Sequence, residues 1–401
     1  MKPRIFINMH YMELGGAERA LLGLLYAIDT NRVDVDLFIN QHTGPFMKLI
    51  PSNINLLPEI PVYSAIERPM VDILREGHLG ILMGRLSAKL RHWWYKKKNG
   101  IKRDATGMQF LWDGVCRFLP PLHYLGEYDL AISFIDPPHL VQDKVLAKKK
   151  VEWIHTDFSS RQRNYDAKLT YKRWAGNDNI ISISDDVTDA FLLAFPTLKD
   201  KIIKIENIIP QTLVLEQSKQ GTAIEYESVT DEIFKICSVG RLTRQKNFDN
   251  IPDIAARLRK SGINFHWWII GPGDVASMNS LVRQTDVAEF VTFLGPRENP
   301  YPYMRACDLY VQPSRWEGKA ITVQEAQMLG KPVLITRYPT SGSQIIDGQD
   351  GMICDMENSS IADSIIKLME DQSLREKIGK QAAVMHRGND IEVEKIYSLL
   401  D

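Results

Sequence analysis

The sequence has little of what would tie it to a metal, a membrane or an oxidising compartment. Four cysteines, Cys116, Cys237, Cys307 and Cys354, are scattered through 401 residues with no CxxC pair. Neither a zinc site nor a disulfide framework is expected, and a reducing cytoplasm is the simplest home. An excess of one charge is also missing: 49 Lys plus Arg stand against 50 Asp plus Glu, for a net charge of −1. No global field draws the whole chain to nucleic acid or to a lipid surface. The longest stretch without a charge, Ser261–Gly273, is broken by Gly-Pro-Gly and falls short of the ~20 apolar residues a spanning helix needs. The opening Met1-Lys-Pro-Arg-Ile-Phe-Ile7 has an apolar stretch shorter than the roughly 7–15-residue core of a signal peptide, so no export signal is expected. There is no Walker loop, which argues against ATP chemistry. Gly at 25 and Pro at 20 are too few for a low-complexity chain, and 44% apolar with 25% charged residues is ordinary globular usage.

What is present is an alternation of short apolar runs and helical patterns. At roughly 150 residues per domain, the length favours two or three domains. Ile5–Asn8, a helix over Ala17–Ile28 and Val33–Asn40 make a βαβ opening. Leu130–Phe134, Val151–His155, Ile180–Ser184 and Ile202–Ile205 read as further buried strands, of the helix-separated kind that pair in parallel. A first domain over 1–210 is expected, then a polar interdomain segment over 211–232 with no helical or strand period. A second domain over 233–380 has strands at Phe234–Val239, His266–Ile270, Val291–Phe293, Leu309–Gln312, Val333–Thr336 and Met352–Cys354. A C-terminal helix within 381–401 is expected to pack back on the first domain. Ligands of open parallel sheets bind beyond the carboxyl ends of the strands, so chemistry should cluster there.

Three motifs follow strands. Glu13-Leu-Gly-Gly-Ala-Glu-Arg19 opens the first helix with a glycine pair; it is either a phosphate-binding turn or a plain strand-to-helix turn. Val239-Gly-Arg-Leu-Thr-Arg-Gln-Lys246 sets Arg241 and Lys246 five apart beside a helix start, either a diphosphate clamp or a solvated basic turn. Ser314-Arg-Trp-Glu-Gly-Lys-Ala-Ile-Thr-Val-Gln-Glu325 places Glu317 in a loop and Glu325 in the helix after it, with Gly318 supplying amides near a helix N-terminus.

Taken together, Gly15-Gly16, the Arg241/Lys246 turn, Ile270-Gly-Pro-Gly-Asp274, Glu317-Gly318 with Glu325, and Gly330-Lys-Pro-Val333 resemble the retaining GT-B glycosyltransferases of family 4. These are bacterial nucleotide-sugar transferases that build polysaccharides and glycolipids. The resemblance is sharpest over Phe234–Cys354 and reaches the first domain only through the glycine pair and one histidine. It implies an α/β GT-B fold: two Rossmann-like parallel α/β domains facing each other across a cleft. It further implies that Arg241 and Lys246, with Gly15 and Gly16, hold the donor diphosphate, and that Glu325 binds the ribose. The backbone near Pro296 and Arg297 would meet the base, and Glu317 with the amides of Gly318, Lys319 and Ala320 would hold the donor sugar. Many relatives carry an aromatic residue where this chain has Lys319, which leaves the donor sugar open.

In Val151-Glu-Trp-Ile-His-Thr-Asp157, His155 ends a strand where such enzymes place a histidine near the donor sugar and acceptor, and Asp157 is a weaker candidate of the same kind. As a residue, His155 is either a catalytic donor to a sugar hydroxyl or a core histidine. No nucleophile stands out, so retention is expected to follow front-face attack, with no metal and no cofactor beyond the nucleotide-sugar substrate. The acceptor is expected to be a glycan or a polyprenyl-linked oligosaccharide. Arg85–Arg103 holds eight Lys or Arg and no acid, including Lys96, Lys97 and Lys98 beside Trp93 and Trp94. That composition suits an anionic membrane surface on the acceptor side, peripheral on the inner face; a solvated basic helix would read the same way, and nucleic acid is disfavoured. The rival functions are a nucleotide-sugar epimerase of the same architecture and an NAD-dependent oxidoreductase. The latter is suggested by Gly271-Pro-Gly-Asp-Val-Ala276 but lacks the acid expected after the next strand. Asp34-Val-Asp36 resembles a metal-binding DxD but alternates within a strand, so it is expected to face solvent.

Overall fold

The computed structural model describes residues 2–100, 107–135, 137–155, 166–227, 230, 232–386 and 388–400. Two compact units emerge: Met1–Glu13, Leu24–Glu206 and Ile391–Asp401 form the first, and Leu14–Gly23 with Asn207–Asp390 the second.

The first unit carries strands β1 (Arg4–Met9), β2 (Asp34–Ile39), β3 (Asn55–Leu56), β4 (Tyr128–Ser133), β5 (Ala147–Ile154), β6 (Asn179–Ser182) and β7 (Ile202–Lys204). They form one sheet in the order β3-β2-β1-β4-β5-β6-β7, and every pair is parallel. The second unit repeats the plan with β8 (Phe234–Val239), β9 (Phe265–Ile270), β10 (Val291–Gly295), β11 (Leu309–Gln312), β12 (Val333–Thr336) and β13 (Met352–Cys354), ordered β10-β9-β8-β11-β12-β13 and again parallel throughout. Both units are thus the Rossmann-like parallel α/β domains expected. The strands are short apolar runs because helices cover both faces of a parallel sheet: all four residues of β11 and of β12 are buried.

Each unit has its own core. In the first, Phe6, Phe38, Tyr63, Trp112 and Tyr128 pack beneath the sheet; in the second, Phe248, Ile251, Ile254, Ala255 and Leu258 place the amphipathic helix Ile251–Leu258 against Trp267 and Val311.

The division differs from the expected boundaries at residues 211–232 and at 14–23. Residues 211–232 are not a patternless connector: helices Gln211–Ser218 and Ile224–Glu227 form there, and the segment counts with the second unit. Tyr226 is buried with its ring 4.2 Å from that of Trp268. Helices this short bury too few positions to print a period on the sequence. The stretch Leu14–Gly23 also belongs to the second unit, so the helix Gly16–Ala27 begins in one unit and ends in the other. At the C-terminus, the helix Gln372–Met385 counts with the second unit and the helix Val393–Tyr397 with the first. There Tyr397 OH accepts from Asp29 N at 2.8 Å and Arg32 pairs with Glu394 at 2.6 Å.

Candidate active site

The second unit gathers the motif residues at the carboxyl ends of β8 and β11. The turn after β8 is shaped by backbone packing. Gly271 and Gly273 have φ of +154° and +147°, and a Cβ on them would lie 1.9 Å from the Gly240 carbonyl oxygen and 2.5 Å from Leu242 Cβ respectively. The Gly-Pro-Gly is therefore the seat of the Arg241 turn, with Leu242 N donating to Pro272 O at 2.8 Å. This accounts for the glycines without a dinucleotide.

The turn then delivers Lys246 to Glu317. Lys246 Nζ donates to Glu317 Oε1 at 2.7 Å, Gln245 Nε2 to Oε2 at 3.1 Å, and Ser314 Oγ to Oε1 at 2.5 Å. Behind Ser314 the chain of bonds continues to Gln312 Nε2 (2.9 Å), whose Oε1 accepts from Tyr310 OH (3.0 Å). Glu317 is 5% exposed. A carboxylate so enclosed needs a cation and several donors to offset its lost hydration. The two loops are also clamped from outside, since the Arg315 guanidinium meets both oxygens of Asp249 at 2.9 Å.

Glu325 sits one helix turn further in, on Ile321–Met328, and is 1% exposed. Its cation was not anticipated from the sequence. Arg19 Nη1 donates to Glu325 Oε1 at 3.0 Å and to Tyr301 OH at 2.6 Å, and Tyr301 OH donates to Glu325 Oε1 at 2.6 Å. Burial alone would depress the Arg19 pKa, but the Glu325 carboxylate and Tyr301 outweigh it and raise it; burial likewise raises Tyr301. Glu325 Oε2 is buried and accepts no hydrogen bond among the described residues, so an acceptor is left over for a ligand donor. A cation three residues after a glycine pair was the one available sequence signal for Arg19.

The glycine pair divides in its roles. A Cβ on Gly15 would fall 2.0 Å from Glu18 Oε2 and 2.6 Å from Arg241 Nη2, whereas one on Gly16 would meet nothing within 4 Å. Gly15 lets Glu18 and Arg241 approach, at 4.0 Å. The Arg241 side chain is 54% exposed against 16% for Lys246, so the two cations differ in readiness for a ligand.

Other anticipated residues lie elsewhere or are engaged. Gly318 is buried and Lys319 half-buried. The Ala320 amide, expected to be open to a sugar, donates to Gln344 Oε1 at 3.0 Å, and Gln344 Nε2 donates back to the Ala320 carbonyl at 2.6 Å. A side chain 24 residues away thus caps that backbone on both sides. Pro296 and Arg297 follow β10, and Arg297 is held by Glu225 at 2.7 Å. In the first unit His155 follows β5, its ring stacked on Trp153 at 5.9 Å and tilted against Phe134 at 4.7 Å. Asp157, Lys102 and Arg103 lie outside the described residues. Asp36 of the DxD-like pair does not simply face solvent: Arg4 Nη2 donates to it at 3.0 Å and Tyr128 OH at 2.6 Å, a structural use. Among the described residues no three His, Cys, Asp or Glu side chains converge as a metal-binding group, and no helix is long and apolar enough to cross a membrane.

Residues 224–385 match the family described as Glycosyl transferases group 1. The chain is 25% identical over 320 residues to an uncharacterised glycosyltransferase of Methanocaldococcus jannaschii, covering 70% of this chain and 78% of that one. It is 26% identical over 158 residues to the N-acetylgalactosamine-N,N'-diacetylbacillosaminyl-diphospho-undecaprenol 4-alpha-N-acetylgalactosaminyltransferase of Campylobacter jejuni, 39% of this chain and 42% of that one. Among solved structures, HepE of Anabaena in complex with UDP-glucose superposes with a TM-score of 0.70 at 16% identity, covering 99% of this chain and 98% of that one. The fold is therefore that of the GT-B enzymes, and the matches support a group 1 glycosyltransferase.

Proposed function

We propose that the protein is a retaining, metal-independent hexosyltransferase. It takes a hexose-type sugar from a nucleoside diphosphate sugar, with UDP favoured and GDP second, and joins it to a glycan or a polyprenyl-linked oligosaccharide in cell-surface polysaccharide synthesis. The observation that carries this reading is the pair of buried carboxylates in one unit, each matched to a cation: Glu317 to Lys246 and Glu325 to Arg19. The UDP-glucose bound to the Anabaena neighbour and the diphospho-undecaprenol acceptor in the Campylobacter relative's name support the donor and acceptor classes. Four buried cysteines, all free thiols, fit a cytoplasmic enzyme.

In this reading Glu325 Oε2 accepts from a ribose hydroxyl, Glu317 orients the sugar, and Arg241 and Lys246 neutralise the departing diphosphate. The acceptor oxygen bonds to the anomeric carbon on the face the diphosphate leaves. The bond from that carbon to the diphosphate oxygen breaks, and the acceptor proton passes to the diphosphate. No enzyme nucleophile is used, and His155 donates to a sugar hydroxyl. The rate gain is positioning and preorganised charge. Thermal stabilisation by a panel of UDP-, GDP- and ADP-sugars should select one donor. NMR of the product formed in EDTA should then show the donor's anomeric configuration. An inverted product, strict need for added magnesium or manganese, or an epimerised donor with no new glycosidic bond would each overturn the proposal.

A further inference from the structure

The first unit's helix Leu79–Asn99 has two apolar faces. One packs inward through Ile81, Gly84 and Ala88. There a Cβ on Gly84 would lie 2.8 Å from the Gly114 carbonyl oxygen, and one on Gly114 2.6 Å from that of Gly84, so this helix and Gly107–Val115 touch backbone to backbone. On the far side, Leu79, Met83, Leu86, Leu90, Trp93 and Trp94 are 47–66% exposed. At roughly 100° per residue they fall within one arc of about 100°, opposite the packed face. The sequence pattern alone could not say which apolar face was the core. A contiguous stripe of this kind marks a contact surface rather than scattered exposure.

Its borders say what covers it. Lys89 and Lys96 run along one edge and Lys98 along the other, beside Arg91, which is ion-paired to Asp113 at 2.6 Å, while the Lys97 ammonium lies 5.1 Å over the Trp93 ring within the stripe. No acid occurs between Leu79 and Asn99. A second copy of the chain laid on this face would set cation against cation, which disfavours self-association. A bilayer rich in anionic lipid meets all three demands at once: acyl chains take the leucines, headgroups take the indoles, and lipid phosphates take the lysines. The helix is about 31 Å long at 1.5 Å per residue and ends in three lysines before Gly100, which caps it at φ 64°.

We propose that Leu79–Asn99 is an in-plane membrane-binding helix that inserts the Leu79-to-Trp94 stripe into the interface of an anionic bilayer. It goes beyond the transferase reading and does not rest on it, since vesicle binding needs no turnover. The test is co-sedimentation of the full chain with vesicles of phosphatidylcholine containing phosphatidylglycerol, and with phosphatidylcholine alone. The wild type should bind the anionic vesicles, weaken as salt rises, and leave the neutral ones largely free. Lys96, Lys97 and Lys98 changed together to Gln should lower partitioning on the order of 10²-fold. Leu86→Gln with Leu90→Gln should lower it at least as far, with an unchanged melting temperature because both side chains are exposed. Brominated acyl chains should quench the wild type more than the Trp93→Phe, Trp94→Phe variant. Absence of binding, binding indifferent to the two leucine changes, or a concentration-dependent dimer in solution that those changes abolish would each overturn the assignment.

Discussion

In the second unit the buried carboxylates of Glu317 and Glu325 are paired with Lys246 at 2.7 Å and Arg19 at 3.0 Å. In the first unit His10 and His139 are buried, as is Glu152, which accepts from Asn177 Nδ2 at 2.8 Å. Asn40 Nδ2 donates to His10 Nδ1 at 2.9 Å, yet His10 Nε2 and both nitrogens of His139 find no partner among the described residues. Burial brings His10 down to about 4 and His139 to about 3. The second unit thus sets two buried carboxylates against cations, while histidines lowered by burial occur in both units, His10 and His139 in the first and His266 in the second. The family-model match, residues 224–385, falls within the second unit.

The sharpest way to break the comparison is to remove a cation from the second unit. Lys246→Ala should lower transfer at saturating donor on the order of 10²–10³-fold, and it should also lower the melting temperature because Glu317 is left buried without its ammonium. Adding Glu317→Gln should recover the melting temperature but not turnover; recovery of both would make the pair a structural one.

Next in size is the division of labour between the two carboxylates. Glu325→Ala should weaken UDP or GDP binding by on the order of 10- to 10²-fold in calorimetry, since both the ribose acceptor and the partner of Arg19 are lost. Glu317→Ala should chiefly lower turnover. Equal nucleotide affinity in wild type and Glu325→Ala would remove the ribose role.

The smallest effect sharpens the comparison from the first unit. His10 and His139 have folded pKa values below the ordinary 6.5, so the unfolded chain binds protons that the fold refuses. Their stability contribution is complete above pH 6.5 and is lost as pH falls through that value towards about 4 and about 3. His266 in the second unit, brought to about 4 by burial, adds a term of the same sign. Between pH 7.5 and 5 each should remove about 1–2 kcal/mol from the unfolding free energy. Urea unfolding at the two pH values measures it, and His139→Gln should flatten the dependence; an unchanged slope would mean that His139 is protonated in the fold.

Most of the architecture was legible in the chain. The runs Phe234–Val239, Leu309–Gln312, Val333–Thr336 and Met352–Cys354 coincide with β8, β11, β12 and β13, because a parallel strand covered on both faces is predominantly apolar. The two-residue β3 was missed, being too short to carry a pattern. Around the site, residue types and spacing named Arg241, Lys246, Glu317 and Glu325 as candidates, but not Arg19, Tyr301, Gln245 or Ser314.

What the sequence by itself determined is therefore local: strand and helix periods, the two α/β halves, and side chains of suitable chemistry just beyond strand ends. Tertiary structure alone decided the partnerships. Arg19 meets Glu325 across 306 positions, and Gln344 takes the Ala320 amide the sequence left open. It also decided that Leu14–Gly23 counts with the second unit and that the Leu79-to-Trp94 stripe faces outward. Periodicity records which residues share a face of one element, but which face is covered, and by which charge, is set by contacts between distant segments that leave no local trace.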